Sequence, residues 1–145
     1  MKKLKFFLFI ISFVIFCVIL FSVGYFHLVI NSNWGPVISL DSTFIDFGTI
    51  TVGDPSTKEI QITNKGWTSL QIIKVKPGCA GCITIHSYPQ NSIQYGKTGV
   101  VTFSLETGTL RGDIMRSFAI TSNDKGNPVA IVQVKANVKS PSTEQ

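Results

Sequence analysis

Residues 130–138 decide the fold of this sequence, and they read Ala130-Ile131-Val132-Gln133-Val134-Lys135-Ala136-Asn137-Val138. Every even-numbered position in the stretch is Ala or Val, whereas the odd-numbered positions include Gln133, Lys135 and Asn137. Alternation of this kind is typical of a β-strand with one buried face and one solvated face. The stretch therefore predicts a long strand that lies against an apolar core.

Short runs of the same type fill the rest of residues 37–138, without a helical period. Turn residues separate them, most clearly Gly48, Gly53, the Asn64-Lys65-Gly66 segment and the segment 123–128. The spacing of the runs suits a sandwich of two sheets. We therefore expect an all-β, immunoglobulin-like antiparallel β-sandwich of about seven strands over residues 37–138. The apolar-alternating runs on which this expectation rests lie at 37–40, 44–47, 58–63, 70–76, 83–86, 100–105, 114–120 and 130–138.

Four aromatic residues are the largest candidates for the core of this sandwich. They are Phe44, Phe47, Trp67 and Phe103. Because aromatic side chains bury large areas and dominate the packing of small domains, we expect all four to be buried.

The N-terminal segment has a different composition. Residues 1–5 are basic, and residues 6–30 carry no formal charge. A membrane-spanning helix needs about 20 mainly apolar residues, so residues 6–30 predict a transmembrane signal-anchor helix. Lys2, Lys3 and Lys5 would stay in the cytoplasm by the positive-inside rule. Residues 31–36 would then be a linker, residues 37–138 a periplasmic or extracellular domain, and residues 139–145 a flexible tail.

A cleavable signal peptide is the alternative reading of the same segment. Ser22-Val23-Gly24 has small residues at the offsets that a signal peptidase needs. The bulky residues that precede Cys17 do not fit lipoprotein processing, so Cys17 is interpreted as a packing residue of the apolar segment. Both readings predict export, either as a single-pass membrane protein or as a secreted one.

Charge gives no support to nucleic-acid binding. The chain has 13 basic and 8 acidic residues, and three of the lysines precede position 6. The remaining basic residues are scattered and form no run or stripe, so no nucleic-acid partner is expected. The expected partners are the membrane and an unknown protein of the cell envelope.

Five segments of the sandwich region resemble the DUF1573 family, whose fold is related to the ASPM/SPD-2/Hydin and major-sperm-protein immunoglobulin-like group. The segments are 44–50, 60–66, 70–75, 95–99 and 120–124, with Pro128 after the last. The family typically has one residue between two cysteines, whereas Ala80 and Gly81 stand between Cys79 and Cys82 here. The resemblance implies an immunoglobulin-like fold and an exported, often membrane-linked setting.

Cys79 and Cys82 are the candidate site, in a Pro/Gly turn between two predicted strands. In an oxidising compartment they are expected to form a local disulfide that fixes the turn. The same Cys-x-x-Cys spacing occurs in dithiol oxidoreductases, in which the first cysteine lies at a helix N-terminus that lowers its pKa. No helical pattern follows Cys82. A labile disulfide, or a disulfide that serves as a substrate of such an enzyme, is a further reading.

A metal site is the third reading of the same segment. Cys79, Cys82 and His86 are thiolate and imidazole ligands of the kind that zinc and copper(I) prefer. Cys82 and His86 would share a face of a strand, and Met115 is a candidate fourth ligand if its strand is adjacent. Of the three, we predict the disulfide, with no metal and no cofactor.

The chain lacks the motifs of the common enzyme classes: no nucleophile elbow, P-loop or dinucleotide-binding fingerprint is present. The predicted function is therefore a non-enzymatic binding or scaffolding module of the cell envelope. The alternative is a thiol-redox or metal-handling protein that uses Cys79 and Cys82.

Overall fold

The structure is a computed structural model that describes residues 2–31, 34–53 and 56–140, with helix side chains described for residues 10–24. The chain divides into two compact units, residues 1–34 and residues 35–145. The first unit contains α1 (Lys2–Asn31), a helix of 30 residues.

The predicted transmembrane segment, residues 6–30, falls within α1, and its first and last side chains lie outside the described ones. Among the described residues, no helix is both long enough and apolar enough to span a bilayer. The structure thus gives no support to the predicted transmembrane helix.

The described part of the second unit contains eight strands, against an expected total of about seven, and each overlaps one of the alternating runs seen in the sequence. They are β1 (Ile38–Leu40), β2 (Phe44–Thr51), β3 (Thr57–Asn64), β4 (Ile72–Pro77), β5 (Ile83–Ser87), β6 (Thr98–Leu105), β7 (Gly112–Ser122) and β8 (Val129–Lys139). The last strand includes Lys139, the first residue of the predicted tail, and residues 141–145 lie outside the described part of the chain.

The strands form two four-stranded sheets, with the order β1-β3-β6-β5 in sheet 1 and β2-β8-β7-β4 in sheet 2. The prediction of a purely antiparallel sandwich is wrong at one pair, because β2 runs parallel to β8. Two parallel strands cannot be joined by a tight hairpin, and here most of the domain separates them in sequence. Residue alternation within a strand does not encode the direction of its neighbour.

The core lies between the two sheets, with Phe103 of sheet 1 at its centre. Its ring contacts Phe118 of sheet 2, at a centroid distance of 4.8 Å, and the edge of Phe47, at 6.0 Å. The alternation of residues 130–138 is confirmed, since all five even-numbered side chains of this stretch are buried in the core.

Two of the four predicted core aromatics are exposed. Phe44 is 46% exposed and Trp67 is 65% exposed, whereas Phe103 is fully buried and Phe47 packs against the core. Phe44 pairs with Gln133 at the edge of sheet 2, on the solvated side of β8. Trp67 lies in the turn after β3, where it stacks on Tyr95.

Asn64 is fully buried and links several turns at one end of the sandwich. Its amide nitrogen donates to the carbonyl oxygens of Thr68 and Ile93, both at 2.8 Å. Its amide oxygen accepts from the backbone nitrogens of Gly66, at 2.9 Å, and Val37, at 3.3 Å. All hydrogen-bonding capacity of the buried amide is used, as burial requires.

Asp124 ties the two sheets together at the same end. One carboxylate oxygen accepts from the backbone nitrogen of Ile38, the first residue of β1, at 2.9 Å. The other accepts from Gly126, at 2.8 Å, and Asn127, at 3.1 Å. The segments 60–66 and 120–124, which carry the family resemblance, thus contain two buried polar residues that hold this end together. We call it the N-terminal end; it comprises residues 35–38, 64–70, 93–98 and 122–127.

Candidate functional site

The candidate site is the turn that contains Cys79 and Cys82. Their sulfur atoms are bonded at 1.98 Å, and their Cα atoms are 5.7 Å apart. The turn follows Pro77, the last residue of β4, and precedes Ile83, the first residue of β5. Because β4 is an edge strand of sheet 2 and β5 is an edge strand of sheet 1, the disulfide closes a crossover between the two sheets.

Backbone hydrogen bonds attach this turn to both sheets. On the side of sheet 2, the nitrogen of Gly78 donates to the carbonyl oxygen of Ser117 in β7, at 2.8 Å. On the side of sheet 1, the nitrogen of Glu106 donates to the carbonyl oxygen of Cys82, at 2.9 Å. The disulfide therefore braces a turn that is already fixed at both of its ends.

Two glycines allow the chain to follow this path. Gly81 has φ +74°, a conformation in which a Cβ is strained. Gly78 lies so close to β7 that a Cβ would stand 2.9 Å from the carbonyl oxygen of Ser117. Both glycines belong to the Pro/Gly pattern that predicted a turn. In the structure, position 81 requires glycine because of its positive φ, and position 78 requires it because of its close approach to β7.

A polar cavity of about 380 Å³ lies beside the turn. Three of its lining residues form a chain of hydrogen bonds: His86, Ser104 and Glu106. The Nε2 atom of His86 lies 2.9 Å from the hydroxyl oxygen of Ser104, which donates its own proton to Glu106 Oε1 at 2.9 Å. Since that proton is directed at the carboxylate, Nε2 of His86 acts as the donor to Ser104.

This order of groups differs from that of a nucleophilic serine site. Such a site needs a base that accepts the proton of the serine and a third group that orients the base. Here the hydroxyl proton of Ser104 is directed at Glu106 and not at His86, and the serine itself is buried. The three residues form a polar wall that can bind a donor or acceptor group of a partner.

The sequence did not identify Ser104 and Glu106 as residues of a candidate site. Their position depends on pairing between β5 and β6, whose register shifts between Ile85 and Ser87. His86 lies at this irregularity, and such bulges redirect side chains. No pattern in the sequence indicates a bulge of this kind.

The metal ligands considered in the sequence are not brought together. Cys79 and Cys82 are bonded to each other, and His86 is engaged by Ser104. Met115 lies on β7, in sheet 2, and is exposed. Across the described residues, no group of three or more His, Cys, Asp or Glu side chains is arranged to hold a metal ion.

Comparison with known families agrees with the architecture. Residues 38–138 match the family described as "Protein of unknown function (DUF1573)". The chain belongs to this family. The match spans all eight strands, from the first residue of β1 to the penultimate residue of β8. No curated protein matches the DUF1573 chain.

Solved structures share the fold. A protein of unknown function from Porphyromonas gingivalis W83 has a TM-score of 0.62 at 23% identity, over 70% of this chain and 46% of that one. The VesB protease of Vibrio cholerae has a TM-score of 0.59 at 12% identity, over 69% and 31%. The ASH / PapD-like domain 7 of human CEP192 has a TM-score of 0.51 at 13% identity, over 72% and 86%. The chain spans less than half of the first two, and these identities indicate a shared fold alone.

Proposed function

We propose that the chain is an exported, membrane-tethered β-sandwich that acts as a non-enzymatic binding module of the cell envelope. Its partner surface would be the end of the sandwich that carries the Cys79–Cys82 turn, which we call the disulfide end: residues 53, 56–57, 78–86 and 104–108. The observation that carries this proposal is the closed disulfide in a crossover between two edge strands, held by hydrogen bonds to both sheets.

The surroundings of the disulfide favour a structural role over a redox role. Cys82 is followed directly by strand β5, whereas reactive Cys-x-x-Cys pairs owe their thiolate to a helix N-terminus or to adjacent cations. The bridge restrains a turn whose shape sets the distance between β4 and β5. A partner that reads this end would meet a fixed surface, which reduces the entropy lost on binding.

The disulfide end also offers groups that can bind a protein segment. β5 is an edge strand, so one of its sides presents backbone groups that an extended peptide can pair with. His86, Ser104 and Glu106 line the cavity next to it and would add polar contacts. An unknown envelope protein with an extended segment is therefore the proposed partner.

Tethering through α1 is supported by the uncharged run of residues 6–30 and by the three lysines before it. The disulfide agrees with an oxidising compartment outside the cytoplasm. Secretion after cleavage near Gly24 would give the same compartment without the tether. Two measurements distinguish a tethered chain from a secreted one: extraction of native membranes with alkaline carbonate, and sequencing of the mature N-terminus. A mature chain that starts at Tyr25 would contradict the tether.

Site-specific photo-cross-linking in cells tests the partner surface. A photo-reactive residue at Thr84, exposed on β5, should give a discrete adduct, whereas the same residue at Gln133, exposed on the outer face of sheet 2, should not. The adduct should persist in lower yield when both Cys79 and Cys82 are replaced by serine, because the hydrogen bonds of the turn to both sheets remain while the restraint of the bridge is lost. Loss of the adduct in a double variant that still folds would favour the thiol-redox alternative.

A further inference from the structure

Trp67 and Tyr95 form an exposed aromatic pair at the N-terminal end. Their rings are stacked, with centroids 4.8 Å apart and planes 11° from parallel. Trp67 is 65% exposed and Tyr95 is 54% exposed. The fold therefore leaves two large amphipathic side chains together in solvent, an arrangement that typically marks a contact surface.

Hydrogen bonds fix this pair next to the point where the chain enters the sandwich. The turns that carry the two rings are joined by Gly96 N to Asn64 O, at 2.8 Å, and Asn64 N to Lys97 O, at 3.1 Å. The first turn also bonds to the start of the domain through Lys65 N and Val37 O, at 2.9 Å. A Cβ on Gly66 would collide with the backbone of residues 35–37, so these segments are in direct contact.

The exposed charged side chains of the N-terminal end are all basic. Lys65, Lys97 and Lys125 are exposed, and each belongs to one of its loops. Asp124 is the single acidic residue of the N-terminal end, and its buried carboxylate accepts hydrogen bonds from three backbone N–H groups. The disulfide end differs, because an exposed carboxylate, that of Glu106, lies there.

We infer that the N-terminal end rests on the surface of a bilayer that contains anionic lipids. Trp and Tyr side chains favour the headgroup level, where the ring is in an apolar environment and its polar edge is hydrated. Lys65, Lys97 and Lys125 would lie close to lipid phosphates, which attract basic residues near a membrane surface. The inference rests on the proposed tether, which would hold the chain at a membrane. The disulfide end, on the opposite side of the sandwich, then stays available to a partner.

Fluorescence of Trp67 tests this contact in the full-length chain. The chain has two tryptophans, so Trp34→Phe leaves Trp67 as the one reporter. The protein is reconstituted into phosphatidylcholine vesicles with or without phosphatidylglycerol, and the acyl chains are brominated to quench nearby indoles. We expect roughly two-fold stronger quenching of Trp67 when phosphatidylglycerol is present, with a blue-shifted emission.

Charge-reversal variants identify the groups responsible. Replacement of Lys65, Lys97 and Lys125 by glutamate should abolish the extra quenching. Replacement of Lys76, Arg111 and Lys139 by glutamate changes the net charge equally at exposed positions outside the N-terminal end, and it should preserve the quenching. Circular dichroism of both triple variants confirms that each is folded.

Flotation of the vesicles separates this inference from the proposed tether. A chain that floats with vesicles while Trp67 stays unquenched retains the tether and overturns the lipid contact, and it points to a protein partner at this end. Equal quenching in neutral and anionic vesicles, or in both triple variants, also overturns the role of the lysines. A chain that does not float overturns both proposals.

Discussion

The carbonyl oxygen of Cys82 accepts a hydrogen bond from the backbone nitrogen of Glu106, at 2.9 Å, and this contact joins the disulfide turn to the polar cavity. Glu106 in turn accepts the proton of Ser104, which lies next to His86. The turn and the cavity are therefore parts of one surface. A change in the turn is expected to reach the cavity through Glu106.

Removal of the disulfide should be tolerated by the fold. The bridge closes a very short loop, so its effect on the unfolded chain is small, and we expect the double variant Cys79→Ser/Cys82→Ser to lose about 2 kcal/mol or less. Urea denaturation of both forms measures this difference. Addition of a reductant to the wild type should reproduce the loss, and it should leave the double variant unchanged. A loss well above this range would mean that the turn contributes to stability beyond chain entropy.

Gly81 should resist replacement by a β-branched residue. Its φ of +74° costs a side-chain-bearing residue about 1–2 kcal/mol, so Gly81→Val should be destabilising by at least that amount. Gly81→Asn should be milder, because asparagine tolerates left-handed conformations. Gly35→Ala is the control, since Gly35 has no positive φ and a Cβ there meets no atom within 4 Å. Thermal unfolding of the three variants ranks them, and equal stability of the valine and asparagine variants would contradict the turn geometry.

Truncation of Phe103 should destabilise the domain far more than truncation of Trp67. Phe103→Ala leaves a cavity at the centre of the core and should cost about 3–5 kcal/mol. Trp67→Ala removes an exposed ring and its stacking on Tyr95, and it should cost about 1 kcal/mol or less. Chemical denaturation measures both values. A similar loss in the two variants would place Trp67 in the core, as the sequence first suggested.

Asn64 should be far more sensitive than an exposed asparagine. Asn64→Ala removes the partner of two backbone N–H groups and of the Thr68 carbonyl, whereas the Ile93 carbonyl keeps its bond from the Leu70 nitrogen; each buried group left unpaired costs about 1–3 kcal/mol. Asn91→Ala, at an exposed position of the loop after β5, should change stability by about 0.5 kcal/mol or less. Denaturation midpoints compare the two, and near-neutral behaviour of Asn64→Ala would contradict its role as a link between turns.

The sequence predicts those features of the fold that depend on local pattern. Strand β8 is an example, because its alternation reports which face is buried regardless of its neighbours. The disulfide turn is another, since Pro77, Gly78 and Gly81 suit a turn and two nearby cysteines suit a bridge outside the cytoplasm.

Features that depend on distant pairing were not accessible in this way. The parallel pairing of β2 and β8 joins strands from opposite ends of the domain, and it places Phe44 beside Gln133 on the solvated face of sheet 2. The contact of His86 with Ser104 arises from a register shift between β5 and β6. Trp67 was expected in the core because of its large side chain, although it lies in a turn. Its stacking partner Tyr95 is 28 residues away, so the local sequence does not indicate that contact.

Counting the free thiols that the chain has in the cell tests the central claim most directly. Cells are quenched with acid to trap the thiols in their cellular state. The denatured chain is then labelled, with or without prior reduction, with a maleimide that adds a fixed mass for each thiol. The metal content of the purified protein is measured separately. A tethered chain with a closed bridge should carry one label before reduction, on Cys17, and three after it, without bound metal. Three labels before reduction, or free thiols together with bound zinc or copper, would contradict the structural role of Cys79 and Cys82. No label before reduction and two after it would keep the bridge and contradict the tether.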